Sequence, residues 1–90
     1  MISRPVTISD PLGVHARSAA LLARAAEQFE SSLWLSCHGE RVSLARRLDV
    51  LALGVGQGDE VLVLADGLDE AEALEAIADR LAHGVEPFDG

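Results

Sequence analysis

The chain has 90 residues, a single cysteine, seven arginines with no lysine, and a net charge of −8. That acidity opposes nucleic acid and anionic lipid as partners, which are held chiefly by positive charge. A lone Cys37 excludes an intrachain disulfide framework and fits a reducing, cytoplasmic setting, and no stretch approaches the roughly 20 apolar residues of a membrane helix.

The length suits one domain over residues 1–90, with a core of aliphatic rather than aromatic side chains. Val6 and Ile8 alternate with Thr7 behind Pro5, which predicts a short first strand whose start tolerates proline. Asp10-Pro11-Leu12-Gly13 turns the chain. From Ala16 to about Phe29, the residues Ala19, Leu22, Ala26 and Phe29 recur at helical spacing until Ser31-Ser32 breaks the pattern. Residues 33–37 and 41–44 read as strands joined at His38-Gly39, a tight hairpin in which glycine permits positive φ. A short helix is expected over residues 46–53, ended by Gly54. The Gly54-Val55-Gly56-Gln57-Gly58 run has no helix and no Lys-Ser/Thr after it, so it is a loop and not a nucleotide cradle. Residues 60–65 are nearly all apolar, as befits a strand in the middle of a sheet. Asp69 with Glu72 resembles a capping box opening a helix whose Leu74, Ile77 and Leu81 form one face, and residues 83–90 are expected to be a loose tail. The order βαββαβα, without repeats, is packed most simply as an α+β open-faced sandwich, with three helices over one face of a four-stranded antiparallel sheet.

The chemistry concentrates in Gly13-Val14-His15-Ala16-Arg17, where a histidine stands at the expected start of a helix. The first turn of a helix offers backbone N–H groups and the positive end of the macrodipole to an anion. A phosphoryl group on the His15 imidazole would meet the amides of Ala16, Arg17 and Ser18 and the forked guanidinium of Arg17. The same field favours a neutral, nucleophilic imidazole. Charge elsewhere is unevenly placed. Residues 1–58 hold five acids against six arginines, whereas residues 59–90 hold ten acids against Arg80 alone. Arg17, Arg24, Arg46 and Arg47 fall on the first two helices, which makes a basic patch if those helices are neighbours. There is no catalytic carboxylate pair, no triad and no cofactor motif. Cys37, His38 and His83 have no recognisable metal-ligand spacing, so no metal is expected.

Several segments in one order resemble the histidine-containing phosphocarrier protein (HPr) family of the phosphoenolpyruvate-dependent sugar-phosphotransferase system, or its nitrogen-related paralogues. The resemblance runs from about Val6 to Leu81. It rests on Gly13-Val14-His15-Ala16-Arg17, Phe29, the Gly39 hairpin, Leu51-Ala52-Leu53-Gly54-Val55, Gly58-Asp59-Glu60-Val61 and the last helix. It implies a carrier, not an enzyme, that accepts a phosphoryl group on the δ1 nitrogen of His15 from enzyme I, with Arg17 beside it. That group would then pass to a IIA protein or domain. It further implies a monomer without cofactors that docks through Leu12, Ala20, Leu21, Arg24, Arg46, Arg47, Leu48 and Leu51; core packing is the competing role for Leu48 and Leu51.

Three residues depart from the family pattern. Ser18 stands where proline is usual, which brings a hydroxyl close to the phosphate site and bears on loop rigidity and phosphohistidine lifetime. Arg46 replaces the serine that a regulatory kinase modifies in many Gram-positive members, and Asp49 replaces a common glycine and partly offsets the added charge. Ser43, on a strand, is a poor substitute for that serine. A regulatory adaptor that binds partners without phosphorylation, or a small ligand-sensing domain of the ferredoxin type, would use the same element order, but neither needs a nucleophilic histidine.

Overall fold

In the computed structural model, which describes residues 1–84, the elements are β1 Ile2–Thr7, α1 Ala16–Ala26, β2 Ser32–Cys37, β3 Glu40–Ser43, α2 Arg47–Ala52, β4 Glu60–Asp66 and α3 Glu70–His83. They build an open-faced β-sandwich: one four-stranded sheet in the order β1-β4-β2-β3, antiparallel throughout, covered on one face by the helices. β1 begins at Ile2, earlier than its alternation suggests, and Pro5 sits within it opposite Leu62. The strand tolerates this because it is an edge, where one side of the backbone has no neighbour to receive an N–H. β4 lies between β1 and β2. Its alternate residues Val61, Val63 and Ala65 are buried, while Leu62 and Leu64 are half-buried on the other face, which is why its sequence shows little alternation.

The core is one cluster drawn from every layer. Leu33 and Leu35 of β2 and the β4 residues meet Ala19 and Leu22 of α1, Val50 of α2, and Leu74, Ile77 and Leu81 of α3. Leu22, Leu35, Leu44 and Ile77 are fully buried, and cutting any of them to alanine costs about 2–5 kcal/mol. α1 stops at Ala26, short of the expected Phe29, yet Ala26 and Phe29 still pack against the core as half-buried side chains. α3 takes in His83, so the tail expected from residue 83 does not begin there, and residues 85–90 lie outside the described residues. No helix among the described residues is long and apolar enough to cross a membrane.

Two tight turns set the edges of the site. At the β2–β3 hairpin Cys37 pairs with Glu40, leaving His38 (φ 54°) and Gly39 (φ 81°) as the two turn residues. Both are left-handed, the conformation that matches the twist of a two-residue hairpin. Gly13 (φ 67°) is required by space as well: a Cβ there would lie 2.3 Å from the Val55 carbonyl oxygen.

Candidate functional site

The loop before α1 is stitched at both ends. Asp10 Oδ1 accepts the Leu12 N–H at 2.9 Å and the Asp10 carbonyl accepts the Gly13 N–H at 2.8 Å. Val14 N–H donates to Val55 O at 3.0 Å, which fastens the loop to the segment after α2. The chain then enters α1 with His15 as its N-cap in extended conformation (φ −114°). Ala16, Arg17 and Ser18 follow as the first three helical residues, and no acidic residue occupies this turn. First-turn amides of an α-helix point out of its N-terminal end rather than into its hydrogen-bond ladder.

The backbone of His15 is held on both sides by one hydroxyl. Ser18 Oγ accepts the His15 N–H at 2.9 Å and donates to the His15 carbonyl at 3.1 Å, and the Ala19 N–H reaches that same carbonyl at 2.8 Å. Ser18 is buried, at 2% exposure. Its hydroxyl, expected close to a bound phosphate, is instead spent on fixing the residue that would carry one. The His15 side chain is 29% exposed, and its Nε2 lies 3.6 Å from Asp10 Oδ2. Asp10 reads in the sequence only as a turn former. A carboxylate five residues before a cap histidine was the available signal, but the turn reading accounts for only one of its two oxygens.

α1 and α2 pack against each other. Arg24, Arg46 and Arg47 are exposed on them, as is Arg17 at the start of α1. Leu12 and Leu48 are 74% and 73% exposed, whereas Ala20, Leu21 and Leu51 are half-buried, the last two against the core. Leu48 therefore has no core role, and Leu51 is divided between core and surface. Arg46 Nε, at the N-cap of α2, pairs with Asp49 Oδ2 in its first turn, so Asp49 offsets that arginine directly.

The chain thus carries a histidine at the head of a helix on an open-faced sandwich built in the order βαββαβα. The family model for the phosphorylation-site region of the phosphotransferase-system HPr component matches residues 2–83. The chain belongs to the HPr phosphocarrier family of the phosphotransferase system. Among solved structures it is similar to the phosphocarrier protein HPr of Bacillus anthracis at 29% identity and a TM-score of 0.85, over 89% of this chain and 95% of that one. HPr of Thermoanaerobacter tengcongensis matches at 34% identity and 0.84, over 90% and 91%. Crh, the Bacillus subtilis catabolite repression protein, described as a swapped dimer, matches at 33% identity and 0.75, over 97% and 100%.

Proposed function

We propose that this chain is a phosphocarrier in which His15 accepts a phosphoryl group from phosphorylated enzyme I, supplied ultimately by phosphoenolpyruvate, and passes it to a IIA protein or domain for sugar uptake or its regulation. The observation that carries the reading is the placement of Asp10 Oδ2 beside Nε2 of His15, the N-cap of a helix whose first turn holds no acid. A carboxylate at one ring nitrogen favours the tautomer with its proton there, which leaves a lone pair on Nδ1. That lone pair attacks phosphorus: an N–P bond forms as the bond to the donor breaks, and the proton stays on Nε2 facing Asp10. The new phosphoryl oxygens are stabilised by the first-turn amides of Ala16, Arg17 and Ser18 and by the Arg17 guanidinium. Transfer onward reverses these steps. The chain supplies a nucleophile and a charge-stabilising end without a cofactor of its own.

Partners would dock on the exposed Leu12 and Leu48, flanked by Ala20, Leu21 and Leu51, inside a rim of Arg24, Arg46 and Arg47. Apolar contacts within a charged rim suit complexes that form fast and separate fast, and a cytoplasmic monomer suits such exchange. Incubation with the cognate enzyme I and phosphoenolpyruvate should add one acid-labile phosphoryl group, located on His15 by mass spectrometry. No transfer from a competent enzyme I would overturn the reading. The likeness to Crh supports a second reading, an adaptor in carbon or nitrogen signalling that acts by binding. It predicts that His15→Ala keeps partner binding and regulatory output.

A further inference from the structure

Where the β2–β3 hairpin turns, two adjacent metal-ligating side chains and a third from the loop before β4 converge. Cys37, His38 and Asp59 each bring one donor atom within 4.8 Å of the other two. The pairing of Ser36 with Leu62 runs the end of β2 alongside the start of β4, so Cys37 Sγ lies 3.8 Å from the Glu60 carbonyl and Asp59 stands just beyond. His38 and Asp59 are solvent-accessible, with side chains 53% and 37% exposed, and Cys37 closes the site from the buried side.

We infer that Cys37 Sγ, His38 Nε2 and the Asp59 carboxylate hold one divalent cation of the zinc class. The ring of His38 is already set for it. Its Nδ1 is 3.2 Å from the Leu53 carbonyl, and a carbonyl only accepts, so Nδ1 carries a hydrogen; a cation binding between Nε2 and Asp59 would displace any proton held there and take the Nε2 lone pair. Metal-bound histidines are commonly oriented in this way, by a backbone carbonyl at the other ring nitrogen. Nε2 and Asp59 Oδ2 are 3.5 Å apart, close to the ~3.4 Å that a tetrahedral zinc imposes on nitrogen and oxygen ligands about 2.0–2.1 Å from it. The carboxylate is fixed in turn by the Gly56 N–H, which donates to Oδ2 at 2.8 Å. All three donors lie within 4.8 Å of one another, so a shift of about 1.3 Å at most brings the sulfur to the ~3.5 Å that a tetrahedral zinc sets between sulfur and a nitrogen or oxygen ligand.

The donor set also selects the ion. A thiolate and an imidazole favour zinc over magnesium or calcium, which prefer all-oxygen sites. One thiolate and one carboxylate balance its two positive charges. On binding, the S–H bond breaks, the Zn–S bond forms and the proton leaves to the buffer. Three protein ligands leave the fourth tetrahedral position to water. The bound ion would join the hairpin to the loop before β4 and, through the Leu53 carbonyl, to the end of α2.

The test is a titration of the whole chain, freed of metal with a chelator, using Zn²⁺ against a competing indicator and Co²⁺ as a spectroscopic probe. One equivalent should bind, and the cobalt form should show a thiolate-to-metal charge-transfer band with strong tetrahedral bands. His38→Asn keeps a residue that accepts the left-handed turn conformation, and Asp59→Asn keeps an acceptor for Gly56. Each should weaken zinc binding at least tenfold, and Cys37→Ser should remove the charge-transfer band. His83→Asn, at the exposed pair with Asp79, should change nothing. Binding below one equivalent, a cobalt spectrum without the thiolate band, or unchanged affinity in His38→Asn would overturn the site.

Discussion

The N-termini of α1 and α3 are opposite solutions to one problem. α3 fills its positive end with its own acids. Glu70 and Glu72 lie in its first turn, Glu70 Oε1 accepts the Gly67 N–H at 3.2 Å, and Asp66 and Glu70 stand 3.3 and 3.5 Å from the terminal ammonium of Met1. Asp69 takes the N-cap position of α3, as the sequence suggests, but its side chain makes no cap hydrogen bond. Its carboxylate reaches back to accept the N–H groups of Glu30 and Ser31, both at 2.9 Å, and the Ser31 hydroxyl. α1 has no acid in its first turn, a histidine as its cap, and a serine that holds that histidine's backbone. The two C-termini, by contrast, are alike: Arg24 in one last turn, Arg80 and His83 in the other. The contrast is therefore confined to the ends that attract anions. A first turn filled with carboxylates serves the fold, whereas one without them, its nearest carboxylate set at His15 Nε2, leaves its amides available to a phosphate.

The largest effect tests the α1 end directly. His15→Ala should abolish acid-labile phosphorylation by enzyme I, while unfolding stability in denaturant stays within about 0.5 kcal/mol, as for other partly exposed side chains. Ala16→Glu asks whether the absence of acid matters in itself. Ala16 is exposed at the first helical position, so a glutamate there should stabilise the helix by about 0.3–1 kcal/mol. The same charge repels an incoming phosphate and should slow phosphorylation about tenfold at low salt. Equal rates in Ala16→Glu and the parent would break the comparison.

At the other end the same logic predicts a change in folding and none in transfer. Ser31 is buried, and Ser31→Ala should cost about 1 kcal/mol and lower the melting temperature by roughly 4–8 °C, with phosphorylation unchanged. The Ser31 hydroxyl, then the Glu30 N–H, hold the Asp69 carboxyl below its ordinary pKa of 3.8. The unfolded chain thus binds a proton at that carboxyl before the folded one does. Its contribution is present above pH 3.8 and is lost as the pH falls through the lower folded value. An acid titration of stability should accordingly be shallower in Ser31→Ala than in the parent.

What was legible in the sequence was what depends on neighbours in the chain. The 3.6-residue recurrence of Ala19 and Leu22, the His38-Gly39 turn and the apolar run of β4 each carry their own signal, and the element order followed from them. The position of Asp69 at the head of α3 was legible but the use of its carboxylate was not, because its partners lie 38 and 39 residues away and a local rule for caps cannot see them. Asp10 was half read, since the turn it makes uses Oδ1 while Oδ2 faces His15. The extent of β1 was missed because Pro5 signals a break unless the strand is known to be an edge, which only the sheet order reveals.

The smallest effects concern the rim of the α1 end and divide the charge of α2 between docking and self-neutralisation. Arg46 is 73% exposed yet paired with Asp49 three residues on; an exposed pair of this kind is worth about 0–1 kcal/mol, so the arginine is only partly withdrawn from a partner. Arg46→Glu should weaken binding of an acidic partner several-fold at low ionic strength. The difference should fade as salt brings the screening length below about 10 Å. Asp49→Asn releases the same arginine and should act in the opposite direction, strengthening low-salt binding by about twofold with the same salt dependence. A titration series of both variants against one partner would show mirrored slopes if Arg46 meets that partner, and parallel flat lines if Arg46 serves only α2.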